Sequence, residues 1–159
     1  MLLLTGEYEL RLDEKNRLSI PARVREQICP EEHGSAFYQV LGVNRILSLY
    51  PERLYQRIAL AVAPRTVAPD ESLTFDRVNF ALAGRGELDR QGRVLLSEKI
   101  IRRAGLKERV TLIGVRDHLE VWDQEIWERF LEDHLAAHEE MLLQARHEAM
   151  QRERLEAES

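Results

Sequence analysis

Two carboxylate–guanidinium pairs of equal spacing are the residues in this chain best suited to chemistry. They are Asp13 with Arg17, in Asp13-Glu14-Lys15-Asn16-Arg17, and Asp89 with Arg93, in Asp89-Arg90-Gln91-Gly92-Arg93. An aspartate at the head of a tight turn accepts hydrogen bonds from the N–H groups that follow it. Asn16 and Gly92 fill the same slot before the arginine. These are the two residue types that most readily accept positive φ, so the slot is expected to be left-handed. Turn geometry accounts for Asp13, Asn16, Asp89 and Gly92, but it leaves the arginines unexplained. A guanidinium beside a turn can pair with its own aspartate, or it can project its donor fork into an anionic ligand.

The neighbouring residues favour an anionic ligand. Residues 11–25 carry five basic and two acidic side chains, and residues 85–103 carry six and three. Lys15, Arg17, Arg23 and Arg25 in the first stretch, with Arg90, Arg93, Lys99, Arg102 and Arg103 in the second, are candidates for phosphate contacts. An arginine that reaches a guanine edge would add sequence readout. The plainer reading of Arg23, Arg25, Arg102 and Arg103 is the solvated face of short helices. The overall charge of −5 conceals this pattern: residues 120–159 hold 12 acidic and 4 basic groups, a balance of −8, which leaves +3 for residues 1–119.

Catalytic signatures are missing. The chain has no glycine-rich phosphate loop, no Gly-x-Ser-x-Gly elbow and no cysteine pair at metal spacing. His134 and His138 lie one helical turn apart, yet Leu135 stands where a metalloprotease helix needs glutamate. A non-enzyme is therefore expected, with no metal, cofactor or small-molecule substrate. The single cysteine, Cys29, excludes an intramolecular disulfide and fits a reducing compartment. Met1-Leu2-Leu3-Leu4 is too short an apolar run for a secretory leader. A soluble cytoplasmic protein with no membrane partner is the expectation.

The elements that must position the arginines are duplicated. Leu18, Ile20, Val24 and Ile28 fall opposite Val94, Leu96, Ile100 and Ala104 at an offset of 76, and residues 41–50 fall opposite 113–122 at an offset of 72. Each copy reads as strand, turn, strand, short helix, hairpin, helix. Pro21 is expected at a first helical position and Ser97 at an N-cap. Strands are expected over residues 36–43, 46–50, 110–115 and 119–122. Ala63-Pro64 and Ala68-Pro69 should interrupt a linker, with a helix over residues 73–83. The stretch from about Gln124 to Glu156 lacks glycine and proline and should be one long helix, fraying beyond about Arg146. Ile126, Phe130, Leu131, Leu135, Met141, Leu142 and Ala145 could form an apolar stripe on it. The expected division is residues 5–58 for the first repeat, 59–84 for the linker and inter-repeat helix, 85–131 for the second repeat and 132–159 for an acidic helical extension.

The doubled D-x-x-x-R phrase, Leu18-Ser19-Ile20-Pro21, Ala104-Gly105-Leu106 and Val121-Trp122-Asp123 together resemble the MraZ family of bacterial transcriptional regulators over about residues 5–135. The resemblance implies a β-rich α+β fold: two tandem AbrB-like swapped-hairpin units forming one small β-barrel, with flanking helices and a long C-terminal helix. It further implies a homo-oligomeric ring that binds short, G-containing direct repeats in double-stranded DNA. The sites lie upstream of the division and cell-wall gene cluster, and the family generally represses that cluster and its own gene. Such a protein is expected at the nucleoid, with Arg17 the first residue to carry over as a DNA contact. Asn16 in place of the usual glycine and Leu96-Ser97 in place of Ile-Pro distinguish the two copies. A non-catalytic assembly or antitoxin-type adaptor, capturing a protein through the C-terminal helix, is the alternative.

Overall fold

The computed structural model describes residues 1–61 and 70–159. These divide into two compact units, Met1–Gln124 and Glu125–Ser159. The expected prolyl breaks at Ala63-Pro64 and Ala68-Pro69 lie outside the described residues.

The first unit begins with strand β1 (Glu7–Arg11), the Asp13 turn, strand β2 (Arg17–Ser19) and the short helices α1 (Ala22–Arg25) and α2 (Pro30–His33). Strands β3 (Ala36–Leu41) and β4 (Leu47–Pro51) form a hairpin that leads into helix α3 (Glu52–Ala61). After helix α4 (Asp70–Leu82), the second copy repeats the series: β5 (Gly84–Glu87), the Asp89 turn, β6 (Arg93–Leu95), helix α5 (Glu98–Arg103) and the hairpin β7 (Arg109–Val115) and β8 (His118–Asp123). The inter-repeat helix therefore forms where the sequence suggests, beginning three residues earlier than Leu73.

Six strands form one antiparallel sheet in the order β1-β7-β8-β4-β3-β5, and β2 pairs with β6 in a separate two-stranded ribbon. The pairing crosses the duplication. β1 of the first copy pairs with β7 of the second, and β5 of the second pairs with β3 of the first. This exchange is the swapped-hairpin arrangement implied by the resemblance. The expected barrel is not closed by one continuous ladder among the described residues: β1 and β5 are the ends of the sheet. Both end strands run through their turns into the ribbon, with an isolated bridge between Leu88 and Val94.

Two further cross-copy pairings, β2 with β6 and β4 with β8, are centred on equivalent residues. In the ribbon Leu18 lies opposite Val94, and in the sheet Ser48 of β4 lies opposite Glu120 of β8. The offsets, 76 and 72, are those of the sequence repeat. The chain therefore has an internal pseudo-twofold relation passing through both pairs. Equivalent apolar residues fill the core together: Leu18 with Val94, Ile20 with Leu96, Val24 with Ile100, Leu47 with Leu119 and Leu49 with Val121 are all buried. Burying an aliphatic side chain of this size contributes about 1.5–3 kcal/mol.

Helix starts differ between the copies as their residues do. Ser97 caps α5, its Oγ accepting from the Ile100 N–H at 3.1 Å. Pro21 is the N-cap of α1 rather than its first helical residue; at φ −55° and ψ 143° its backbone is extended. The hydroxyl cap and the prolyl cap thus stand at the same repeat position, since 97 − 21 is 76.

The second unit is a helix. Helix α6 runs from Gln124 to Glu158 as a whole, without the expected fraying beyond Arg146. Ile126, Phe130, Leu135, Met141, Leu142, Leu143 and Met150 are exposed along it. No helix among the described residues is long and apolar enough to cross a membrane.

Candidate nucleic-acid interface

Each aspartate organises its turn and then holds its arginine. Asp13 Oδ1 accepts from the Lys15 and Arg17 N–H groups, both at 2.9 Å, while Oδ2 accepts from Arg17 Nε at 2.6 Å. Asp89 makes the same set: Oδ1 from the Gln91 and Arg93 N–H groups at 2.9 and 3.0 Å, Oδ2 from Arg93 Nε at 2.8 Å. The main-chain bonds are also repeated, Asn16 N–H to Asp13 O and Gly92 N–H to Asp89 O, each 3.0 Å. Asn16 has φ 60° and Gly92 has φ 75°, so the slot before each arginine is left-handed as expected.

The first alternative for the arginines, pairing with their own aspartates, is realised in both turns. Pairing with aspartate consumes Nε, one of five guanidinium N–H donors, and fixes the plane of the other four. The bonds lower the proton affinity of both carboxyls. Asp13 is held below its usual carboxylate range first by the Arg17 N–H and then by the Arg17 side chain, and Asp89 likewise by Arg93. The two turns also meet: Arg93 Nη1 lies 4.0 Å from Asp13 Oδ2. At that distance the contact is an ion pair rather than a hydrogen bond.

The ribbon brings the two arginines onto one face. Strand side chains alternate sides. Leu18 and Val94 are wholly buried, so Arg17, Ser19, Arg93 and Leu95 face outward. Arg17 stands opposite Leu95, and Ser19 stands opposite Arg93. Diagonal neighbours in such a ladder are roughly 7–8 Å apart, so Arg17 and Arg93 form a close pair. The Ile20 N–H to Gly92 O bond and the Leu96 N–H to Asn16 O bond, both 2.9 Å, close the ribbon at its two ends.

The remaining candidates are placed less uniformly. Lys15 and Arg90 are exposed on the two turns. Arg25, on α1, donates Nε to Ile20 O at 3.0 Å and reaches over the other copy's turn. A Cβ at Gly92 would lie 2.6 Å from Arg25 Nε, so a side chain there displaces the arginine, on a backbone of φ 75° that glycine accepts most readily. The equivalent of Arg25 at the repeat offset of 76 is Ile101. Arg23 is exposed on the same short helix, and Lys99, Arg102 and Arg103 are exposed on α5. Arg85 is taken up elsewhere, bonding Glu52 at 2.5 Å and Glu87 at 3.0 Å. In the second unit, the His134 ring stacks on Phe130, with Nδ1 2.7 Å from the Phe130 carbonyl oxygen. Among the described residues no group of three or more potential ligands could hold a metal ion.

Sequence reasoning missed Ser19 and Leu95 as members of the outward face. The alternation around Leu18 and Val94 was visible, but the register that sets them beside the arginines required the cross-copy pairing.

Comparison with known proteins gives the same assignment from another direction. The family described as "MraZ protein, putative antitoxin-like" matches residues 3–76 and 80–152. Among similar relatives, the transcriptional regulator MraZ of Lactobacillus delbrueckii subsp. bulgaricus is 32% identical over 139 residues, 87% of this chain and 94% of the relative. That of Heliobacterium modesticaldum is 31% identical over the same coverage. That of Thermomicrobium roseum is 34% identical over 125 residues, 79% of this chain and 84% of the relative. These names describe regulators and not catalysts, in keeping with a non-enzymatic chain. Matched in both repeats and along most of its length, the chain belongs to the MraZ family.

Proposed function

We propose that this chain is a sequence-specific DNA-binding regulator of transcription, with the β2–β6 ribbon and its two turns as the contact surface. The observation that carries the reading is the convergence of Arg17 and Arg93 on one face, each held by an aspartate of its own turn. Oriented guanidiniums are suited to guanine edges and phosphates, and the DNA major groove admits a two-stranded ribbon. Lys15, Arg90, Arg23 and Arg25 supply phosphate contacts around the pair. The relatives named transcriptional regulators support the same reading.

The finer reading follows the family resemblance. The protein acts in the cytoplasm at the nucleoid, as a homo-oligomeric ring whose subunits engage successive short boxes upstream of the division and cell-wall gene cluster, repressing it and its own gene. Matched spacing of weak modules raises overall affinity without new contacts. Residues 5–58 and 85–131 form the working repeats, 59–84 their connection and 132–159 an accessory extension.

A gel shift on DNA upstream of its own gene, at two salt concentrations, tests the reading. Arg17→Ala is expected to weaken binding at least tenfold and to reduce the salt slope by about one. Unchanged affinity would remove Arg17 from the interface.

The exposed apolar residues of α6 favour a second reading, in which that helix captures a protein partner. Binding to the upstream DNA separates the two.

A further inference from the structure

Leu95 does not fit the face on which it stands. It is 60% exposed on a ribbon whose inner side is already filled by Leu18 and Val94. Single exposed leucines are ordinary on protein surfaces. This one is placed between Arg17, its partner across the ladder, and Arg93, two residues along its own strand. Its equivalent in the first copy is Ser19, so a polar residue fits the same position of the fold. The main chain beneath it is fixed, because the buried Gln39 side chain donates Nε2 to the Leu95 carbonyl at 2.8 Å.

On this face the leucine has little to gain from a second copy of itself, since apposed ribbons would bring Arg17, Arg93, Lys15 and Arg25 against the same cations. DNA offers a match. The floor of the major groove carries one apolar group, the C5-methyl of thymine, among hydrogen-bonding base edges.

We propose that Leu95 is a specificity-determining residue that reads the C5-methyl of a thymine next to the base contacted by Arg17. This deepens the DNA-binding reading and rests on it. Ser19, beside Arg93, cannot make that apolar contact. The face therefore carries two arginines in near-twofold relation but only one methyl reader, and the ribbon reads its site with a direction. A directional reader suits boxes repeated head to tail better than inverted ones.

The test uses the full-length protein and the duplex upstream of its own gene, with each thymine replaced in turn by deoxyuridine, which lacks only the methyl. The wild type is expected to lose about fourfold in affinity at one or more thymines, the factor for one buried methyl group. Leu95→Ser should bind the thymine and deoxyuridine forms of that position equally, with the affinity of the wild type for the deoxyuridine form. Leu95→Met, which keeps the apolar reach, should retain the preference. Indifference of the wild type to every replacement, or an undiminished preference in Leu95→Ser, overturns the assignment of Leu95 while leaving DNA binding in place. A wild-type protein that binds none of the duplexes overturns the DNA reading and this inference with it.

Discussion

At the scale of residues, the two turns show how a near-identical pentapeptide acquires different tolerances from its surroundings. Asn16 and Gly92 share a left-handed conformation, and Gly92 lies beneath Arg25. Gly92→Ala therefore meets two obstacles, the cost of positive φ for a residue with a Cβ and the displacement of Arg25. A loss of about 1–2 kcal/mol is expected for the first alone. Asn16→Gly should be close to neutral, since the backbone conformation is unchanged and no neighbour depends on the amide for the turn. Urea denaturation of the two variants measures the contrast; equal effects would contradict the role given to Arg25. The aspartate–arginine pairing itself was legible as one of two alternatives. That each arginine takes it through Nε, in both turns alike, required the side-chain geometry.

At the scale of elements, the duplication made most of the secondary structure legible. The hairpin strands, the inter-repeat helix and the Ser97 cap all fall where periodicity and capping chemistry indicate. Pro21 was misplaced by one position because proline suits both the first helical turn and the extended residue before it. The strand exchange was legible only through the family resemblance. Alternation shows which faces are apolar but not which copy supplies the neighbouring strand, and β1 fits the edge of β7 by pattern no better than that of β3. The cap makes the element-scale prediction. Ser97→Ala should lower stability by about 1 kcal/mol, read as a shift in the urea midpoint, because the Ile100 N–H loses its acceptor. Ser97→Pro, which copies the first repeat, should recover part of that loss; a variant no better than alanine would show that the two starts are not interchangeable.

At the scale of the whole molecule, charge is divided between the parts. The surface around the ribbon carries the basic groups, and the stretch from Glu120 to Ser159 carries a balance of −8. That stretch repels a polyanion, most strongly at low ionic strength, where screening is weakest. Removal of residues after Arg146 should therefore preserve or raise DNA affinity, with any gain larger at low salt than at high. An anisotropy titration at two salt concentrations measures it; a collapse of binding would assign the distal helix to the interface. The net charge of the chain gave no hint of this division, because it averages regions of opposite sign.

The exchange of β1 and β5 between the copies bears on how the protein comes off the ribosome. The first copy emerges with β2 lacking its ladder partner β6, and β3 still waiting for a strand that lies more than forty residues downstream. The face carrying Arg17 becomes a ribbon only once β6 has been made. A chain that ends before β6 has the first D-x-x-x-R phrase but not the paired surface that displays it. The paired surface thus waits on synthesis of the second repeat, a requirement built into the strand order.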